Sequence, residues 1–260
     1  MTEYLAVARI SFLERAAYGA DLIARAAMML LFLFVFASLW GRVMPGDTRF
    51  ADFDHPAMVW YIVVTEVLMT AVPAVGAKIN REVRTGSFVS YLLRPCNYLL
   101  FHLASFLGET LVALLVNAAM GMLVACFLVG AIGFSLAQLP VLFLVLLLSL
   151  ILNFAIMASI ALSSFWVEDN QPFFWIYNKF QLILGGVLIP LDFFPDFLAS
   201  LARAMPFGLM FYAPARLTVA YDWAFASTII RDQLLWIFLL GILLSYLYSA
   251  SLRQVNVNGG

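Results

Sequence analysis

Charge is what this chain has least of. Only 11% of its 260 residues are Asp, Glu, Lys or Arg, against 65% that are hydrophobic. Soluble domains are nearer half apolar and a quarter charged, so composition excludes a water-soluble globule. A net charge of −1 and no basic domain exclude a nucleic-acid partner. Two cysteines, Cys96 and Cys126, cannot build a disulfide framework and read as reduced thiols. Two histidines, His55 and His102, are too few and too far apart for a metal site or a proton relay. Also missing are H-E-x-x-H, G-x-S-x-G, C-x-x-C and the phosphate loop G-x-x-x-x-G-K-[ST]. The last absence matters most: if ATP drives this machine, another chain binds it. The start, Met1 to Tyr4, lacks a basic region leading into a short apolar core. The first long apolar run is therefore expected to be retained as a span.

What is present is a set of long apolar runs. A helical span needs about 20 mostly apolar residues. Six segments qualify: 22–43, 57–77, 99–130, 139–166, 173–189 and 230–252. The fold class predicted is all-α integral membrane, with residues 1–260 as one transmembrane domain. The third and fourth spans are joined by the short uncharged stretch 131–138, a tight hairpin. With the N-terminus inside, the inner segments hold Arg9, Arg15, Arg25, Lys78, Arg81, Arg84, Arg94, Lys179 and Arg253. The outer ones hold Arg42, Arg49, Arg203, Arg216 and Arg231, and also the acidic Asp47, Asp52 and Asp54. That bias predicts both termini on the cytoplasmic side. Lys179 lies inside the fifth span and is expected to snorkel to the inner headgroups.

Two further elements flank the spans. Residues 3–20 read as an interfacial helix on the inner surface, with Leu5, Phe12, Leu13 and Ala16 on one side. Glu3, Ser11, Glu14 and Arg15 fall on another, and Arg9 breaks the pattern. Residues 190–214 are too apolar for a solvated loop and too broken by Pro190, Pro195, Pro206 and Pro214 for a span. Short helices dipping into the outer leaflet are predicted there, a re-entrant outer hairpin between the fifth and sixth spans, with their backbone covered by neighbouring spans.

Two carboxylates sit where burial is expensive, Glu66 in the second span and Glu109 in the third. Such groups must be paired, protonated or wet. They could relay protons or bind a cation, or be structural, Glu109 meeting Asn117 or Asn153. The connection 78–97 carries Lys78, Arg81, Arg84 and Arg94, four of fourteen Lys/Arg in the chain. Charge alone orients it. Its apolar part needs more: Phe88, Tyr91 and Leu92 lie at helical spacing after Gly86-Ser87, with Arg94-Pro95 as the stop. Thr85 or Ser87 can cap that helix. A short amphipathic helix flanked by charge can dock in a partner's groove.

The residues Glu82-Val-Arg-Thr-Gly86 and Tyr91-Leu-Leu-Arg-Pro95 resemble the second cytoplasmic segment of bacterial ABC-type permeases of the type 2, exporter, class. Ser164-Phe-Trp-Val-Glu-Asp169, Pro172-Phe-Phe-Trp-Ile176, Lys179, Gly185-Gly186 and Ile189-Pro-Leu-Asp-Phe-Phe-Pro195 resemble the same group. Pro206-Phe207 and Tyr212-Ala-Pro-Ala-Arg216 continue the similarity. The resemblance implies one half of a membrane dimer in the bacterial inner membrane, above separate ATP-binding cassette ATPase subunits. It implies that this chain binds no cofactor, ATP and Mg being held by those subunits. Arg81, Glu82, Arg84, Thr85, Gly86, Phe88, Tyr91, Arg94 and Pro95 would form the ATPase-coupling segment, and Glu168 and Asp169 a second cytoplasmic contact. Pro190, Phe193, Phe194, Pro195, Pro206 and Phe207 would close the outer side. The implied cargo is lipid-like or amphipathic, and the membrane lipid is the third partner. Two other readings stand beside it. One is a proton- or ion-coupled transporter using Glu66 and Glu109; the other is an intramembrane enzyme or assembly factor.

Overall fold

A computed structural model describes all residues except Met1, Asp47, Ala51, Asp52, Arg94, Pro95, Phe134, Glu168, Gly259 and Gly260, and the side chains of all the rest except Leu92 and residues 255–258. Asp47 and Asp52 of the expected outer acidic cluster, Arg94 and Pro95 of the coupling segment, and Glu168 thus lie outside the described residues. Twelve α-helices are present among the described residues. They are α1 (Thr2–Ala17), α2 (Gly19–Val43), α3 (His55–Ala71), α4 (Val75–Arg84), α5 (Val89–Leu92), α6 (Tyr98–Val129), α7 (Leu139–Leu162), α8 (Gln171–Leu184), α9 (Asp196–Ala204), α10 (Pro206–Met210), α11 (Tyr212–Val219) and α12 (Trp223–Asn258).

Local chemistry sets the boundaries. Asp54 caps α3 by accepting from the Ala57 amide at 2.9 Å, with Pro56 in the first turn. Asn97 caps α6 through the Leu100 amide at 3.1 Å. The expected second span runs through residue 77, but α3 stops at Ala71. Pro73 brings no amide hydrogen and pushes Val72 into extended backbone, at φ −71 and ψ 122. Helix resumes at Val75 as α4.

Five stretches are long and apolar enough to cross a membrane: Gly19–Val43, His55–Arg84, Tyr98–Val129, Leu139–Phe165 and Trp223–Gln254. The fifth predicted span differs. Its helix, α8, has 14 residues, or about 21 Å of rise against a hydrocarbon core of about 30 Å. It ends before Gly185 and Gly186, the latter at φ +66, a conformation glycine adopts without strain. The chain then continues through one tight turn, Leu191–Phe193, and the short helices α9, α10 and α11.

The direction of each long helix follows from its contacts. The Trp60 indole, near the start of α3, donates to the carbonyl of Gly130 at the end of α6, at 3.1 Å, so α3 and α6 are antiparallel. On α12, Gln233 donates to the Val145 carbonyl and the Ser149 hydroxyl in the first half of α7. Further along α12, Leu244 and Tyr248 join Leu150, Phe154 and Phe165 in one buried cluster. Therefore α7 and α12 run the same way. Helix α3 is the central post: 67% of its apolar window is buried inside the chain, against 11% for α12, which lies at the edge.

Helix α1 departs from expectation. A helix lying across the inner surface would cross α6 once. Instead the Tyr4 hydroxyl accepts from the Asn97 amide at 3.0 Å, Ser11 pairs with Ser105 at 2.9 Å, and Phe12 packs by Val112. These contacts follow α6 in parallel for about four turns. The inward stripe includes Tyr4, Val7, Ala8, Ser11, Phe12 and Arg15, at helical spacing, whereas Leu5 and Leu13 are exposed. The close approach rests on Gly108, where an added Cβ would overlap the Ala8 carbonyl. Replacing Gly108 by alanine is expected to weaken this docking by about 1–3 kcal/mol. Faster protease cleavage within residues 2–17, with the remaining helix content kept, checks it.

Candidate functional site

The basic connection folds into a compact turn at the end of the bundle where α4 meets the start of α6. The Thr85 hydroxyl donates to the Arg81 carbonyl at 2.9 Å, closing the end of α4 rather than capping the start of α5. Gly86 then turns the chain at φ +73, and the Phe88 amide reaches back to the Glu82 carbonyl at 3.1 Å. This reversal drives Phe88 into the protein. It is 1% exposed and meets Tyr98, Phe165 and Tyr248 edge-on, with ring centroids 4.7, 5.2 and 6.4 Å away.

Glu82 fastens the turn. Its carboxylate lies within hydrogen-bond distance of the Tyr91 hydroxyl (3.2 Å), the Tyr98 hydroxyl (2.8 Å) and His102 Nε2 (2.9 Å). Tyr91 also packs on Tyr98, Phe101 and His102. The expectation that Phe88 and Tyr91 present an apolar face to a partner is corrected here. Both turn inward, because α6 and the α7–α8 corner already offer a covering surface for them. What faces outward is Arg81, Arg84, Val89, Ser90 and Leu93, the last 85% exposed. Neither arginine has an ion pair among the described residues.

The two stretches expected on one side of the membrane meet in space. Phe165, beyond the end of α7, meets Phe88 edge-on. Asp169 is exposed and accepts from the Gln171 amide at 3.0 Å. The neighbour that sequence reasoning missed, Asn170, is fully buried and donates to the Ile160 and Ala161 carbonyls at 3.2 and 3.3 Å. It ties the start of α8 to the end of α7; its only signal was an Asn before the Gln-Pro of a helix start.

The polar residues within the spans divide among separate settings. Glu66 is 6% exposed, and its carboxylate has no hydrogen bond or ion pair among the described residues. Glu109 instead accepts from Ser105 at 3.1 Å and lies 4.0 Å from Lys78 Nζ, in a recess shared with Ser11, Glu14 and Arg15. It meets neither Asn117 nor Asn153, the partners considered for it. The Asn117 amide donates to Thr70 at 2.9 Å. Asn153 accepts from the Tyr177 hydroxyl at 3.0 Å, and Gln181 donates to that same hydroxyl at 2.8 Å. Lys179 folds back over the Trp175 ring, 5.2 Å from its centre, towards the start of α8.

The broken segment is held by side chains from the long helices. The Tyr61 hydroxyl donates to the Gly186 carbonyl, and the Thr65 hydroxyl to that of Val187 at 2.9 Å. The Tyr212 amide donates to the Gly185 carbonyl at 3.0 Å. Ser149 and Gln233 both donate to the Leu209 carbonyl, at 3.1 and 3.0 Å. Pro190 and Pro206 are buried and Pro195 is exposed. Phe193 packs against Trp40, Phe50 and Phe53, Phe194 joins the same core, and Phe207 packs against Tyr177 and Phe180. Asp192 gathers Tyr212 at 2.9 Å, Arg203 at 3.5 Å and Arg216 at 3.6 Å.

Two comparisons bear on what this arrangement does. A family model described as ABC-2 family transporter protein matches residues 22–259. The comparison with curated proteins gives no match. Independently of family, the carboxylate knot has a stability consequence. Glu82→Leu strands three donors at the inner end and is expected to cost about 2–4 kcal/mol. A lowered midpoint in thermal unfolding of the detergent-solubilised chain, with Glu82→Gln losing less, checks it.

Proposed function

This chain belongs to the ABC-2 transporter family and is a multi-pass permease subunit of an ABC transporter, and from that premise we propose how it works. The chain exports a lipid-like or amphipathic cargo across the bacterial inner membrane. It pairs with a second permease, identical or similar, and sits in surrounding lipid. Separate ATP-binding cassette subunits dock beneath and hold ATP and Mg. Both termini face the cytoplasm. That topology requires six crossings, and the parallel course of α7 and α12 supports it: the chain must cross back between them, by way of α8 and the segment after Gly185.

One observation carries the coupling proposal. Arg81, Arg84, Val89 and Leu93 face outward from a turn whose other side is fastened to α6 by Glu82 and to the α7–α8 corner by Phe88. A push on the outer face of such a turn moves the helices behind it as a body. ATP-driven closure of the ATPase subunits then biases two packings of the spans. Pro190, Phe193, Phe194, Pro195, Pro206 and Phe207 close the outer side as a re-entrant hairpin.

The ATPase subunit is expected to co-purify with the chain. Reversing both charges, Arg81→Glu with Arg84→Glu, is expected to lower stimulated ATP hydrolysis and transport at least about tenfold, the worth of losing one or two charge-assisted contacts, with the unfolding midpoint kept. Unchanged stimulation and transport would sink the coupling role. The unpaired, buried Glu66 favours one other reading, a proton-coupled carrier. In liposomes without ATP, no pH-driven flux is expected; such a flux, lost in Glu66→Gln, would favour the carrier.

A further inference from the structure

Where α3 breaks at Pro73, a cavity of about 270 Å³ opens between α2, the α3–α4 break, α7 and α8. Arg25 stands at one side, and Asn153, Tyr177 and Gln181 line the interior. We infer that this cavity admits the polar head of the cargo from the cytoplasmic side, and that this head is anionic. The inference rests on the permease reading and names the chemistry of its substrate.

Size, polarity and charge each bear on it. The volume is just under the lower end of the range for small-molecule sites, about 300 Å³, so it suits a head rather than a whole amphiphile. The larger groove of about 480 Å³ between α3, α6 and α7 is lined by aliphatic side chains such as Val63, Leu68, Leu111 and Leu146, and offers a head nothing. In the smaller cavity the hydrogen bonds run one way. Gln181 donates to Tyr177, and Tyr177 donates to the Asn153 oxygen. The donors left at the end of that relay are those of the Asn153 amide nitrogen. It has no partner among the described residues, although Asn153 is only 2% exposed. Asn153 lines the cavity, so those N–H groups are open to an acceptor from outside.

Charge at the mouth has the matching sign. Arg25 is the charged residue on the cavity wall; it shares Asp21 with Arg15, at 3.0 and 2.7 Å. No Asp or Glu among the described residues lines the cavity. Gln171 and Ala77, at the inner end, mark the way in, while Gln181 and Phe211 mark its depth along α8. N–H donors open to a cavity whose one charged wall residue is an arginine recognise phosphate, phosphodiester or carboxylate oxygens.

The test uses the full-length chain in phosphatidylcholine nanodiscs, without ATP or any second subunit, with radiolabelled dodecyl phosphate as the probe and dodecyltrimethylammonium as its cationic counterpart. Dodecyl phosphate is expected to bind at least about tenfold tighter, the worth of one charge-assisted hydrogen bond. Arg25→Gln and Asn153→Asp should each remove most of that preference, while Arg25→Lys keeps it. Equal binding of the two amphiphiles, or dodecyl phosphate binding untouched in both Arg25→Gln and Asn153→Asp, overturns the inference. Inorganic phosphate competing as well as the amphiphile also overturns it, since the ligand would then be a soluble anion. Failure here leaves the permease reading intact. Absence of a co-purifying ATPase would remove that reading without changing these binding results.

Discussion

A peptide carbonyl that leaves its helix inside hydrocarbon must find a donor within the protein, because lipid offers none. That constraint organises this molecule. Beyond α8 the carbonyls of Gly185, Gly186, Val187 and Leu209 accept from donors elsewhere in the protein. The donors are the Tyr212 amide, the hydroxyls of Tyr61, Thr65 and Ser149, and the Gln233 amide nitrogen. Three of these side chains sit on α3 and α7, and the fourth on α12. The central position of α3, the shared direction of α7 and α12, and the placement of α10 against them all satisfy the same broken stretch. A continuous fifth helix would have met its carbonyls internally and left α3 free to pack anywhere.

The inner end solves a different problem with a similar device. There the chain must reverse between α4 and α6 while keeping a face for water. Gly86 allows the reversal, and Glu82 supplies an acceptor that three separate donors share. Aromatic rings then fill the space behind it. The result is a turn with a dry back and a charged front. The back is continuous with two spans, through Tyr98 on α6 and Phe165 after α7.

Much of this was legible in the sequence, and the limits have physical causes. Long apolar runs flanked by Asn97 and Pro140 matched three of the six expected spans to within three residues; the second and sixth each fell seven short at one end, and the break at Pro73 was not foreseen. The fifth expectation, 173–189, counted apolar residues through Gly185-Gly186. Hydropathy is blind to backbone, and it was the positive φ at Gly186 that ended the helix. Phe88 and Tyr91 were recognised as an apolar face at helical spacing. Spacing does not say which surface covers a face, and here α6 covers it before any partner can. The three donors to Glu82 lie nine, sixteen and twenty residues away, and the Asn153–Tyr177 pair spans twenty-four. Only folding brings such residues together. Exposed Leu93 was passed over because it sits beside the more conspicuous Arg94-Pro95.

These two devices differ in how hard they are to rearrange, and that difference bears on transport. Besides its burial in the core, the broken segment is held by hydrogen bonds to the carbonyls of Gly185, Gly186, Val187 and Leu209, each worth about 1 kcal/mol net. Unwinding α6 or α7 would give up a full ladder of backbone bonds in lipid, each costing several kcal/mol when left unmet. Shifting a two-state population from almost all one way to almost all the other needs about 5.5 kcal/mol. A few exchanged side-chain bonds lie within that range, and a broken span does not. On the mechanism proposed above, the long helices would therefore move as bodies, each keeping its backbone ladder intact.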